Sequence, residues 1–270
     1  MNLLLIYFVC FLYLFSAFFP IKNQKLVSFI TLMAWFFHGL TLFSDIFEYS
    51  FVKLGFAYML SSTIWMTVGV YWIQNQSLSL DGFRRILFPI ASIFLLLPII
   101  FPGPIILIKD KSYLFILHIC LSFLAYGLLT IAAFHALIMA IQESRLQGSL
   151  SSFFNKSWFI NLIDDLPPLL SMETFLFRLI FLGFILLTLT VVSGIFFSEF
   201  LFNQPFKFEH KTVFTVFSWI LFGALLSGRK WRGWRSNTAF SLILTGFLTL
   251  FLAYVGSRFV LEVVLQRGNI

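Results

Sequence analysis

From Tyr113 to Gln142 the chain runs for 30 residues without one aspartate, glutamate, lysine or arginine. A bilayer's hydrocarbon core is about 30 Å thick, and about 20 residues of helix cross it. No water is available there for exposed backbone groups, so a lone span of this kind must close its hydrogen bonds within itself, as a helix. Seven further apolar segments obey the same rule, and the polar stretches between them are short. Together they place helices at about 2–19, 26–43, 57–74, 86–101, 113–142, 173–200, 211–228 and 238–265. The expected fold is therefore all-α: a polytopic transmembrane helical bundle of about eight helices, forming a single membrane domain over residues 1–270. Pro89 and Pro98 fall inside the fourth helix and predict a kink.

Composition excludes the main alternative. Sixty per cent of the residues are hydrophobic, 11% are charged, and the mean hydropathy is +0.97. A soluble domain of this size needs far more polar surface. The net charge of +7 is no nucleic-acid signal, because the basic residues sit at the ends of apolar runs, where they face lipid headgroups. Membrane lipid is thus an expected partner, and nucleic acid is not. Cys10 and Cys120 lie inside apolar runs and form neither CxxC nor CxxCH, so they read as buried, inert thiols. Met1-Asn2 supplies no basic n-region, and the first segment reads as a retained helix rather than a cleaved signal.

Lysines and arginines near helix ends set the orientation. With the N-terminus outside, 11 of the 18 fall on the inner side, led by the cluster Arg229-Lys-Trp-Arg-Gly-Trp-Arg235. Both termini are then outside. The segment 143–172 reads as an inner interfacial stretch broken at Pro167-Pro168.

Four histidines could carry chemistry, since imidazole is costly in lipid and is a common axial ligand of haem iron. On this topology His38 lies near the outer end of the second helix, and His118 just inside the outer end of the fifth. His210 lies in the outer loop before the seventh. His135 is 17 residues further along the fifth helix than His118. That is about 25 Å of rise, so it belongs near the inner face. Each histidine has a bland alternative, a packed residue held by hydrogen bonds. Ser122, Ala125 and Gly127 on the fifth helix, and Thr188, Thr190, Ser193 and Gly194 on the sixth, allow close helix approach. No acidic residue sits in mid-helix, which argues against proton-coupled transport. No P-loop, HExxH or GxSxG in its required context is present, and the chain is not expected to be an enzyme.

Five segments carry a resemblance. They are Leu117-His-Ile-Cys-Leu-Ser-Phe-Leu-Ala-Tyr126, Leu166-Pro-Pro-Leu-Leu-Ser-Met-Glu-Thr-Phe175, Leu186-Leu-Thr-Leu-Thr-Val-Val-Ser-Gly194, Gly228-Arg-Lys-Trp-Arg-Gly-Trp-Arg235 and Tyr254-Val-Gly-Ser-Arg258. In this order they resemble the cytochrome c assembly family, the CcsA/CcmC-type haem-handling membrane proteins, and within it the YpjD/HemX-like branch. The resemblance runs from the first helix to the last. It implies a multi-pass protein of the bacterial inner membrane that binds haem near the outer face during cytochrome c assembly. Haem and other membrane proteins of cytochrome c maturation are the partners it implies.

In that family a tryptophan-rich outer loop lies between two outer histidines that ligate haem. His118 matches the first of these, so iron would be held through His118. The corresponding loop, about 196–212, is rich in phenylalanine but has no tryptophan. No histidine follows the last helix, and a family histidine at the inner side aligns with Ser227. His38 and His210 are therefore the candidates for a replacement axial ligand. Lys207, Lys211 and Arg258 are candidate contacts for the haem propionates. The other readings are an accessory or structural membrane subunit that kept the fold and lost haem binding, and, third, a small-molecule permease.

Overall fold

The computed structural model describes residues 3–19, 23–48, 51–53, 55–76, 84–103, 105–107, 113–148, 166, 168–202 and 210–265. Eight helices account for most of them. They are α1 (Leu3–Phe18), α2 (Gln24–Ile46), α3 (Phe56–Asn75), α4 (Arg84–Ile100), α5 (Tyr113–Leu146), α6 (Leu169–Phe202), α7 (His210–Arg232) and α8 (Ser236–Phe251). The last helix continues through π-helical turns at Leu252–Gly256 and Val260–Val264, which flank Ser257–Phe259. Each expected helix is present. α6 begins at Leu169, earlier than expected and directly after Pro168, a residue that cannot donate to a preceding turn and so sits well before a helix. Pro89 and Pro98 both lie inside α4, which runs as one helix from Arg84 to Ile100. Most of segment 143–172 between α5 and α6 lies outside the described residues.

Among the described residues, six helices are long and apolar enough to cross a bilayer: Gln24–Ile46, Phe56–Asn75, Leu117–Leu146, Leu169–Phe196, His210–Arg232 and Asn237–Val264. α1, at 16 residues, is apolar but shorter. The chain is a polytopic helical membrane protein. One feature was not foreseen from sequence. Three short strands, β1 (Phe47–Glu48), β2 (Phe51–Lys53) and β3 (Ile105–Leu107), form an antiparallel sheet in the order β1-β2-β3. Strands of two or three residues are too short to show an alternating pattern.

The chain packs as two compact units. The first holds α1–α4, the three strands and the described residues from Leu261 onward. Its core joins Ile6, Val9 and Tyr13 of α1 to Ile64, Val68 and Tyr71 of α3 and Leu87, Phe88 and Ala91 of α4. Arg84, at 1% exposure, is not a headgroup contact: it donates to the Phe19 carbonyl at 2.7 Å, a cation at the C-terminal end of α1. α2 and α3 are joined by a reciprocal lock. Trp35 donates its indole N–H to the Trp65 carbonyl at 3.0 Å, and Trp65 donates to the Trp35 carbonyl at 2.8 Å. The two rings stack with centroids 5.0 Å apart and planes 6° apart. Gly39 lies under Trp65 and Gly69 under Trp35, so a W-x3-G pattern on each helix makes room for the other helix's indole.

The second unit holds α5–α8 up to Val260. α5 and α6 pack antiparallel along their lengths. They come close at Gly183, a position not among the small residues named from sequence, where a Cβ would lie 2.7 Å from Leu129 Cδ2, and at Gly194, one of those named, where a Cβ would lie 3.5 Å from His118 Cε1. α6 meets α7 where Trp219 donates to the Thr188 hydroxyl at 2.8 Å and stacks on Phe184. α7 meets α8 where Ser218 donates to the Gly246 carbonyl at 2.7 Å.

Candidate functional site

His118 stands in the second turn of α5 and is half-buried. Its Nδ1 lies 2.7 Å from the hydroxyl of Ser193 on α6. The neighbouring residue is Gly194, whose missing Cβ would lie 3.5 Å from His118 Cε1. Ser193 and Gly194 therefore form the seat of the imidazole, a hydroxyl at one ring nitrogen and bare backbone against the ring edge. One turn along α5, Ser122 donates to the His118 carbonyl at 2.8 Å. Tyr254, on the π-helical turn Leu252–Gly256 of the last helix, stands beside Ser122 and Thr215 of α7. Four helices thus converge on the turn of α5 that bears His118. Around it Leu117, Cys120, Val192, Ile195 and Phe196 are exposed. Cys120 departs from the expectation of a buried thiol, whereas Cys10 is buried in the first unit.

The opposite end of the same helix pair holds a different constellation. His135 donates from Nε2 to the Met172 carbonyl at 3.2 Å and meets Phe175 edge-on, with centroids 5.4 Å apart. The next residue, Glu173, gathers two arginines. Arg235 binds it through two hydrogen bonds, Nε to Oε1 at 2.9 Å and Nη2 to Oε2 at 2.7 Å. Arg229 donates to Oε1 and lays its guanidinium 3.6 Å above the centre of the Phe177 ring. The carboxylate, through its hydrogen bonds first and its charge second, holds the Arg235 guanidinium above its ordinary pKa. The α7–α8 turn that presents both arginines is closed by two backbone bonds, Gly233 to the Arg229 carbonyl at 3.1 Å and Trp234 to the Gly228 carbonyl at 3.4 Å. The Gly233 bond is that of an αL helix cap, with Gly233 at φ 67° and Trp234 packed on Gly228. A cavity of about 270 Å³ beside the knot is lined by Met139, Glu143, Leu176, Phe177, Arg235 and Phe240. Met139 is 21 residues beyond His118 on α5, about 30 Å of helix, so that cavity cannot hold a group ligated by His118.

The other expected site residues fall as follows. His38 belongs to the first unit, at 0% exposure. Its Nδ1 lies 3.1 Å from the Tyr13 hydroxyl and its Nε2 3.0 Å from the Ser61 hydroxyl. Both ring nitrogens are engaged, and in this arrangement neither is left for iron. His210 is the exposed first residue of α7, with Lys211 beside it. Arg258, on the short helical segment between the π turns, is half-buried. These three belong to the second unit with His118. Lys207 lies outside the described residues.

Sequence reasoning named Ser193 for packing and missed its bond to His118. It also missed the Glu173 knot, although Glu173, Arg229 and Arg235 all stood within the recognised segments. Residues far apart in the chain give no sign of their pairing until the helices are assembled.

A family model described as cytochrome C assembly protein matches residues 2–265. The chain belongs to this family. Among its relatives is the inner membrane protein YpjD of Escherichia coli, 32% identical over 179 residues, which are 66% of this chain and 64% of YpjD. Another is the cytochrome c biogenesis protein CcsA of Prochlorococcus marinus, 25% identical over 164 residues, 55% of this chain and 52% of that protein. A 28.8 kDa Azospirillum brasilense protein is 27% identical over 216 residues, 76% of each chain. The aligned part thus spans about two thirds of YpjD and about half of CcsA. No solved structure matches. Within the cytochrome c assembly family, the five segments now have places. The first, third and fifth meet around His118, and the second and fourth meet at Glu173.

Proposed function

We propose that the chain serves cytochrome c biogenesis by holding haem at the outer face of the bacterial inner membrane, with His118 as an axial ligand. The seated imidazole of His118 carries this reading. Metal-ligating histidines characteristically have their second ring nitrogen held by a hydrogen bond, as Ser193 holds Nδ1 here. The exposed apolar side chains on the same stretches of α5 and α6 suit a flat apolar macrocycle as well as they suit lipid. An imidazole in such surroundings fits haem. When bound, haem supplies the iron macrocycle that a c-type cytochrome carries. The chain's part is to bind and orient it, and the bond-making step to thiols of an apoprotein belongs elsewhere. With both termini outside, the Ser193–His118 end faces outward and the Glu173 knot inward, in keeping with the basic Arg229–Arg235 segment. His210 is the candidate for the opposite axial position, and Lys211 and Arg258 for the propionates.

The test is an absorption spectrum. Protein purified in detergent and given haem is expected to show the Soret and α/β bands of a histidine-ligated haem, and His118→Ala to lose them. A wild type without these bands overturns the reading. One observation favours the second reading, an accessory subunit of the same family that lost haem: His38, a candidate ligand, is fully committed to Tyr13 and Ser61. Co-purification of a second membrane protein with no pigment is the result that reading expects.

A further inference from the structure

The turn between α7 and α8 joins two membrane-crossing segments, His210–Arg232 and Asn237–Val264, and so lies at the depth of the lipid headgroups. Trp231, largely exposed, suits that depth. Among the described residues at this end of the second unit, five cations stand against two carboxylates: Arg145, Arg229, Lys230, Arg232 and Arg235 against Glu143 and Glu173. Lys230 and Arg232 are exposed. The cavity of about 270 Å³ opens beside Arg235, and Met139, Leu176, Phe177 and Phe240 give it an apolar wall. We propose that this end of the second unit binds one anionic phospholipid, with the lipid phosphate on Arg235 and one acyl chain in the cavity.

The Glu173 knot prepares Arg235 for this. A guanidinium has five N–H groups, and the carboxylate takes two of them, one on Nε and one on Nη2. The guanidinium can therefore bridge from the carboxylate to a second acid, and its planar fork matches a phosphate. Because Glu173 already holds it in place, little side-chain entropy is left to lose when the lipid arrives. Glu143, which also lines the cavity, suits a headgroup that carries hydroxyl donors, as a glycerol does. The net positive charge of the surrounding residues selects against neutral lipids, and basic pockets between membrane helices are a recurring site for anionic headgroups. All of these residues belong to one unit, and none of them touches the argument for His118, so the proposal stands apart from the haem reading.

The test is native mass spectrometry of the full chain, delipidated in detergent and titrated with dioleoyl phosphatidylglycerol, phosphatidylethanolamine or phosphatidylcholine. Wild type is expected to retain one phosphatidylglycerol per chain, bound at least about tenfold more tightly than either neutral lipid. Arg235→Gln is expected to weaken that binding about 10- to 100-fold, the worth of charge-assisted hydrogen bonds to the phosphate. Lys230→Gln with Arg232→Gln removes two exposed charges outside the knot and should weaken it about fivefold for each. Glycerophosphoglycerol, the same headgroup without acyl chains, is expected not to displace the lipid at equal concentration. Neutral lipids binding as tightly as phosphatidylglycerol overturn the proposal, as does Arg235→Gln at wild-type affinity. Displacement by the chainless headgroup as readily as by intact lipid also overturns it, because the cavity then plays no part. Should Arg235→Gln fail to fold, the exposed double variant decides: unchanged affinity in it refutes the charge on which the site is built.

Discussion

Gly39→Ala puts a methyl group into the tightest part of the first unit. Its Cβ would lie 2.8–2.9 Å from three atoms of the Trp65 indole. Ordinary contact begins near 3.4 Å, so the ring has to move by about half an ångström or more. It has nowhere to go without loss. Trp65 is pinned by its own bond to the Trp35 carbonyl and by a stack on Trp35, which is pinned in return to Trp65. Overpacking of this kind costs about 1–3 kcal/mol. Loosening an interhelical hydrogen bond in a membrane protein adds about 0.6 kcal/mol. Against this stands the gain in helix propensity from glycine to alanine, about 1 kcal/mol. The balance is a loss of about 0.6–2.6 kcal/mol. Gly223→Ala is the control: its Cβ would sit 3.4 Å from Phe184, an ordinary contact, and the propensity gain should leave it neutral or more stable. Unfolding by added SDS in mixed micelles, followed by circular dichroism, gives both numbers. Gly69→Ala should behave like Gly39→Ala, and the double variant should lose less than the two singles combined, because they break one lock. A Gly39→Ala protein as stable as wild type, or no less stable than Gly223→Ala, would refute the lock as the element joining α2 to α3.

Two further outcomes are expected. Glu173→Gln should destabilise the protein by about 1–3 kcal/mol, between the small worth of exposed pairs and the large cost of breaking buried ones, since Glu173 is 16% exposed and Arg235 56%. Arg235→Ala should cost less, and high salt should shrink the gap between wild type and Glu173→Gln in the same SDS titration. His38→Ala leaves two buried hydroxyls without their partner and should cost about 2–4 kcal/mol, while the combination His38→Leu, Tyr13→Phe, Ser61→Ala should recover part of that. Haem spectra of the folded variants separate packing from ligation, and a pigment lost with His38→Ala but kept with His118→Ala would reverse the roles assigned to these histidines.

The number and order of the helices are legible in the amino-acid sequence alone, from Leu3 in α1 to Val264 at the end of the last helix. A bilayer tests each segment separately, by length and polarity, and both are local properties of the chain. The same holds for the antiparallel course of α5 and α6, which follows from successive crossings, and for the separation of His118 from His135, which follows from helical rise. Lateral neighbours are another matter. Lipid-facing and buried positions of these helices are equally apolar, so nothing in the pattern says which face meets which helix. Assembly alone set Trp35 against Trp65 and committed His38 to Tyr13 and Ser61. It likewise brought Ser193 to His118, and Arg229 and Arg235 to Glu173. Side-chain shape and hydrogen-bond direction made those choices, and both act only between helices already side by side.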